Sequence, residues 1–219
     1  MPRFIDLTLP VVPGMRGVST EPAFTKAKDG WNASTWHLYS HSGTHMDAPV
    51  HFDAGPGTID QTPLSTCFGP AWVIRLTPCP QQALLTSDSL GVVKFQLLPG
   101  DSLLLHTGWS AHVSNPDVYR DAMPRISEEL ARWMVERGVK MLGVEPPSVA
   151  DVNNLPEVTL IHEILLGGNV TIVEGLTNLD QLTSDRVLFG ALPLKLQNSD
   201  GSPVRAFAIE GIAPDALTA

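Results

Sequence analysis

The chain has 219 residues, a formal net charge of −9, 43% hydrophobic residues and 17% charged residues. That length suits one domain, 1–219, able to bury about 70% of the surface of its unfolded chain. Lys and Arg are scattered rather than striped, which argues against nucleic acid as a partner, since phosphates demand clustered cations.

No run of about 18 apolar residues occurs, so no membrane span is expected. Cys67 and Cys79 form neither a CxxC pair nor a disulfide framework. The N-terminal segment lacks the apolar core of a secretion signal, and a reducing, cytoplasmic setting is expected.

FIDLTLPV (4–11) reads as a strand ending at proline. NASTWHLYS (32–40) alternates, with Trp36 and Leu38 on one face and Thr35, His37 and Tyr39 on the other. GPAWVIRLT (69–77) and DSLLLHTG (101–108) are short apolar runs bounded by turn residues, as buried strands are. SEELARWMVERG (127–138) predicts a helix: Ser127 caps it, two acids follow, Leu130, Trp133 and Met134 share a face, and Gly138 stops it. VKMLGV (139–144) then reads as a strand, so 101–144 predicts a parallel βαβ unit. A second unit follows, with a helix in VTLIHEILLGG (158–168) and a strand in NVTIVEG (169–175). The segment 186–211 predicts two strands joined by a turn at Asp200 and Gly201. The expected fold is a single α/β domain with a mixed sheet, in two sheet layers with helices on one side.

HSGTHMDAPVHF (41–52) carries His41, His45, Asp47 and His51, separated by 4, 2 and 4. Gly43 and Pro49 argue against a helix there. A straight strand would spread the four over about 33 Å, and ligands of one ion stand about 2.0–2.2 Å from it. The chain must therefore bend, and Ser42, Gly43 and Thr44 are where it can. Imidazoles with a carboxylate suit Zn²⁺, Mn²⁺ or Fe²⁺, and the absence of a nearby cysteine disfavours a closed structural zinc site. Further ligands must come from elsewhere. His162 on the second helix and Glu174 at the end of its strand are candidates, the latter because α/β sites form beyond the C-terminal ends of strands. On chemistry alone, solvated or ion-paired roles for those two stay open.

HSGTHMDAPVHF resembles the HxGTHxDxPxHF signature of the cyclase family of metal-dependent hydrolases, which includes bacterial kynurenine formamidases and isatin hydrolases. The resemblance continues through LLLHTGW (103–109), GVEPPSV (143–149), IHEILLGGNVTIVEGLTNL (161–179) and ALPLKLQNSDGSPVRA (191–206), and so covers most of the chain. It implies a β/β/α swivelling-type fold and two divalent ions per chain, Zn²⁺ or Mn²⁺. His41, His45 and Asp47 would bind one ion. Asp47 would also reach the second, held by His162, and Glu174 would bridge the two. His51 would be the catalytic proton donor and acceptor. The resemblance further implies a small-molecule substrate and a homo-oligomer, dimer or tetramer.

The implied reaction is cleavage of an amide-type C–N bond by metal-bound hydroxide. The alternatives are a metal-dependent lyase or cyclase, and a non-catalytic metal-containing binding protein. Two positions depart from the family pattern. Glu145 stands where the family often has Asp, and Val12 stands where formamidases carry a substrate-contacting Trp before Pro-Gly. Phe52 and Trp109 are candidates equally for the pocket lining and for the core, and Trp133 is expected in the core.

Overall fold

The computed structural model describes residues 1–214, so the last five residues of the expected 1–219 domain lie outside the described residues. The strands, in chain order, are β1 (Arg3–Asp6), β2 (Val18–Phe24), β3 (Ala33–Leu38), β4 (His45–Asp47), β5 (Phe68–Arg75), β6 (Leu84–Leu85), β7 (Ser102–His106), β8 (Arg125–Ile126), β9 (Met141–Val144), β10 (Thr171–Glu174), β11 (Arg186–Pro193) and β12 (Gly201–Glu210). The α-helices are α1 (Lys26–Asp29), α2 (Val93–Gln96), α3 (Pro116–Asp121), α4 (Glu128–Glu136) and α5 (Leu155–Gly167).

Eight strands form one mixed sheet in the order β1-β12-β11-β5-β7-β9-β10-β4. Strand β4 also pairs with β12, which closes the sheet into a barrel-like form. The separate second layer expected from the sequence is thus the far side of the same sheet. Both predicted crossovers are present: β7 pairs parallel with β9, and β9 with β10, with α4 and α5 in the connections.

Alternation within the central strands sorts their side chains onto two buried faces. Leu103, Leu105, Leu142, Val144 and Ile172 face outward, against Leu130 and Met134 of α4 and Ile161 and Leu165 of α5. Leu104, Met141 and Val173 face inward, among Met46, Phe189, Ala206 and Ala208. Burying each of the larger side chains contributes about 1.5–3 kcal/mol, so the layers reinforce each other through the strands they share.

Helix α4 begins as predicted, with the Ser127 side chain accepting a hydrogen bond from the Leu130 amide. Helix α5 begins earlier than expected, because Asn154 caps it through the Glu157 amide and Pro156 suits its first turn. Trp133 is only half-buried, packed on the core edge with the Arg137 guanidinium over its ring.

Two expectations fail in instructive ways. Strands β11 and β12 are not joined by a tight turn at Asp200 and Gly201. Their ladder ends at Pro193 and Val204, and residues 201–203 pair with β4 instead. Pro203 lacks the amide a continuous ladder would use, and the seven-residue connection 194–200 spans the gap. Segment 32–40 does form β3, but it pairs with the unforeseen β2 as a separate two-stranded arm. Neither of its faces is buried within the chain, and Trp36 and Leu38 remain 46% and 41% exposed.

Candidate metal centre

The predicted residues converge where β4 closes the barrel. Tyr39 O accepts from the Ser42 amide, and Gly43 takes a left-handed conformation (φ 60°), so the chain turns sharply between His41 and His45. The bend expected at 42–44 is therefore present. Gly175 faces this turn with φ 69°, and a Cβ there would lie 2.5 Å from the Gly43 oxygen. The two loops can approach only because glycine occupies that position. Thr44 ties them together, its hydroxyl donating to Gly175 O and accepting from the Leu9 amide.

Register does the rest. Strand β4 lies antiparallel to β10 with His45 opposite Glu174, and antiparallel to β12 with Asp47 opposite Gly201. The His45 Nε2 to Glu174 Oε2 distance is 3.1 Å. Asp47 Oδ1 lies 2.9 Å from His41 Nδ1 and 3.7 Å from His45 Nε2. From α5, His162 Nε2 reaches to 3.7 Å from Asp47 Oδ2 and 3.5 Å from Glu174 Oε1. The ligand-type atoms of His41, His45 and Asp47 lie within 4.8 Å of one another, as do those of Asp47, His162 and Glu174. Asp47 belongs to both groups.

The surroundings fix the donors. The Nδ1 atoms of His45 and His162 donate to the Gly43 and Val158 carbonyls at 2.9 and 2.6 Å, which leaves both Nε2 atoms facing the carboxylates. Glu174 Oε1 accepts from the Val149 amide at 2.8 Å. Asp47 Oδ2 is buried with no hydrogen-bond partner among the described residues. Burial pushes the histidines down, but the facing carboxylates outweigh it. Asp47 and Asp200 raise His41 to about 9, and His45 and His162 also end raised, through Glu174 and Asp47. Burial pushes both carboxylates up, and for Glu174 so does Asp47, yet the surrounding imidazoles hold both below the usual range. The cluster as a whole demands positive charge.

His51 sits on the 3₁₀ turn Pro49–Phe52 that follows β4. Its ring stacks on His41 at 3.9 Å and meets the edge of Phe52, which itself stacks on His162. Burial pushes His51 below its ordinary value, and His41 and His162 add to this against the pull of Asp47.

The cluster opens into a cavity of about 350 Å³. Leu9, Met15, Phe52, Val113, Val152 and Val158 give it apolar walls, and Arg16, Tyr39, Tyr119 and Arg120 supply polar groups. Of the two aromatics left open between pocket and core, Phe52 lines the cavity. Trp109 is core, with its Nε1 donating to Tyr119 O, and Val12 lies outside the lining. Sequence reasoning missed Arg16, Tyr119 and Arg120, for which only the fold supplies a signal. It also missed Asp200, whose Oδ2 lies 3.1 Å from His41 Nε2 and 3.5 Å from His51 Nδ1. The Asp-Gly pair that marks it was read as a hairpin turn.

Comparison with known proteins gives the family. The family model described as "Putative cyclase" matches residues 5–151. The chain belongs to the Cyclase family. It is 34% identical over 207 residues to a kynurenine formamidase of Geobacillus thermodenitrificans, covering 92% of each chain. Among solved structures it superposes on isatin hydrolase A from Ralstonia solanacearum with a TM-score of 0.85 and 26% identity, over 95% of this chain and 92% of that one. It shares its fold with a potential metal-dependent hydrolase with cyclase activity (TM-score 0.79, 23% identity, 97% of this chain and 100% of that one). No helix among the described residues is long and apolar enough to cross a membrane.

Proposed function

We propose that this chain is a metal-dependent hydrolase of amide-type C–N bonds, acting on an arylformamide such as N-formylkynurenine or on a cyclic amide such as isatin. The relatives named above support the reaction class. The observation that carries the reading is the buried Asp47 Oδ2, which no hydrogen bond reaches among the described residues and which faces His162 Nε2 only at 3.7 Å. Such an oxygen is costly unless it meets a cation.

The donor set fits a divalent ion: imidazole and carboxylate, without thiolate, suit Zn²⁺ or Mn²⁺. His41, His45 and Asp47 would hold one ion, and His162 with Asp47 and Glu174 a second, Glu174 being shared through its contact with His45. When bound, such ions polarise a carbonyl and lower the pKa of water to about 7. The cavity would orient the substrate amide above the cluster, its apolar walls excluding bulk water. His51, whose burial disfavours the charged form, accepts the proton of the attacking water. It then returns that proton to the departing nitrogen, which is a poor leaving group until protonated. Phe52 packs against both His51 and His162, which also meet each other edge to face, and so fixes how the two rings stand.

The exposed Phe24, Trp31 and Trp36 of the β2–β3 arm support a homo-oligomer in which a second copy covers them. The free thiols of Cys67 and Cys79 fit a reducing, cytoplasmic setting.

The test is elemental analysis of protein purified without chelators, followed by assay on N-formylkynurenine and isatin. About two ions per chain, retained in His51→Ala while kcat falls at least about 100-fold, is the expected result. Loss of an ion in that variant would make His51 a ligand, and a metal-free protein after reconstitution would remove the mechanism.

A further inference from the structure

Asp200 stands outside both the ligand set and the proton carrier, yet it touches each. It ends the 194–200 connection, and its backbone carbonyl accepts from the Ala48 amide at 2.9 Å, beside Asp47. That bond fixes where its side chain starts. Oδ2 then lies 3.1 Å from His41 Nε2 and 3.5 Å from His51 Nδ1. The two rings are stacked, 3.9 Å apart and 26° from parallel, so one oxygen meets the edges of both. Flipping either ring would turn a carbon toward the carboxylate in place of a nitrogen. With His41 Nε2 committed to Asp200, its Nδ1 faces Asp47 Oδ1 at 2.9 Å. With His51 Nδ1 facing Asp200, Nε2 is the nitrogen left for proton transfer in the cavity. The next residue is built for this approach: a Cβ at Gly201 would lie 2.7 Å from His41 Cε1.

We propose that Asp200 is a positioning residue that orients His41 and His51 together, so that one carboxylate sets both the metal-facing and the proton-carrying imidazole. An outer carboxylate commonly fixes the tautomer and orientation of a ligating histidine. Here the same oxygen also serves the neighbouring ring. The inference rests on the reading of His41 as ligand and His51 as proton carrier.

The test is Asp200→Asn in the full chain, which keeps the size and the backbone bond. Three readouts are taken: Zn²⁺ affinity by competition titration, histidine ring ¹H–¹⁵N spectra of the Zn²⁺-loaded protein, and kinetics on N-formylkynurenine at saturating Zn²⁺. In the wild-type protein His51 is expected as the Nδ1–H tautomer, and in the variant as a mixture. Affinity for Zn²⁺ and kcat are each expected to fall about 10–100-fold, with KM changed less than about twofold. In a His51→Ala background the same substitution should still weaken Zn²⁺ binding but cost no further kcat, because the carrier it positions is gone.

An unchanged tautomer with unchanged Zn²⁺ affinity overturns the proposal. So does a third Zn²⁺ per chain that Asp200→Asn removes, since Asp200 would then be a ligand. Full activity in His51→Ala alone would instead remove the proton-carrier reading, and the titration and the ring spectra would still decide Asp200.

Discussion

Glu145→Gln probes how the wall of the site is held. The Glu145 side chain is buried at the end of β9, and its carboxylate collects five donors. Oε2 accepts from the amides of Thr107, Gly108 and Trp109 and from the Thr107 hydroxyl, at 2.7, 2.6, 3.2 and 3.0 Å. Oε1 accepts from the Ser110 hydroxyl at 2.8 Å. Its backbone carbonyl accepts from Tyr119, which lines the cavity. A glutamine can place its amide oxygen where Oε2 was and let Ser110 turn to accept. Four bonds then pass from charge-assisted, worth about 1.5–3 kcal/mol, to neutral, worth about 0.5–1.5, a gross loss of about 4–6 kcal/mol. Burying a neutral group costs less than burying a charge, which offsets part of it. The expected net loss is about 2 kcal/mol, or about 4–8 °C in Tm for a chain of this size. Glu145→Ala orphans the Thr107 and Gly108 amides, while the Trp109 amide keeps the Thr107 hydroxyl, and should cost about 2–6 kcal/mol. Urea unfolding at fixed metal concentration measures both. Because the carboxylate does not line the cavity, kcat of folded Glu145→Gln should stay near wild type. A Glu145→Gln protein within about 0.5 kcal/mol of wild type would refute the accounting.

Three further outcomes are expected. Gly201→Ala places a Cβ 2.7 Å from His41 Cε1 and 2.9 Å from Met46 O, so His41 must move, and Mn²⁺ affinity measured by calorimetry should fall at least about 10-fold. Chelation should lower Tm: an ion present at about 100 times its Kd contributes about 2.7 kcal/mol, which at 2–4 °C per kcal/mol is about 5–11 °C. The third concerns acid stability away from the centre. Burial pushes Glu210 up, but the Ser184 and Thr183 amides, the Thr183 hydroxyl and Arg3 outweigh it and leave its carboxyl below the ordinary value. A depressed carboxyl contributes stability above its unfolded pKa and loses it as pH falls through the folded one. Between pH 5 and 3, Tm should therefore fall less steeply in Glu210→Gln than in wild type, and parallel curves would remove Glu210 as a cause.

What the sequence made legible follows the range of the interactions involved. The buried strands β5, β7 and β9 and both crossovers were readable, because each is written in a local run or period that the final packing does not contradict. The bend at Gly43 was readable because the spacing of His41 and His45 made a straight strand unworkable. Strand β4 has only three residues, too few to show a period, and its two neighbours lie far along the chain in β10 and β12. Strand β2 escaped notice because, after the buried Val18, all its residues are exposed among the described residues, so no alternation in burial marks it. Asp200 was misread for a related reason. An Asp-Gly pair between two apolar strands is a sound local signal for a hairpin, but here β12 changes partner at Pro203, and the pair goes to the site.

Strand β4 and Asp200 share a location. Closing a sheet with a strand of three residues crowds its ends, and Gly43, Gly175 and Gly201 accept conformations or approaches that a side chain would forbid. The same crowding brings His45 against Glu174, Asp47 opposite Gly201, and Asp200 against both His41 and His51. Long-range pairing that no local pattern records thus brings together two buried carboxylates and four imidazoles. An ion that binds there would hold the seam of the barrel as well as the chemistry, so its removal should loosen β4 before the α4–α5 layer. Hydrogen exchange of the Met46 and Val204 amides, compared with Leu142 and Ile172 in loaded and chelated protein, would detect that order. Equal changes at all four would mean that the centre and the closure are energetically separate.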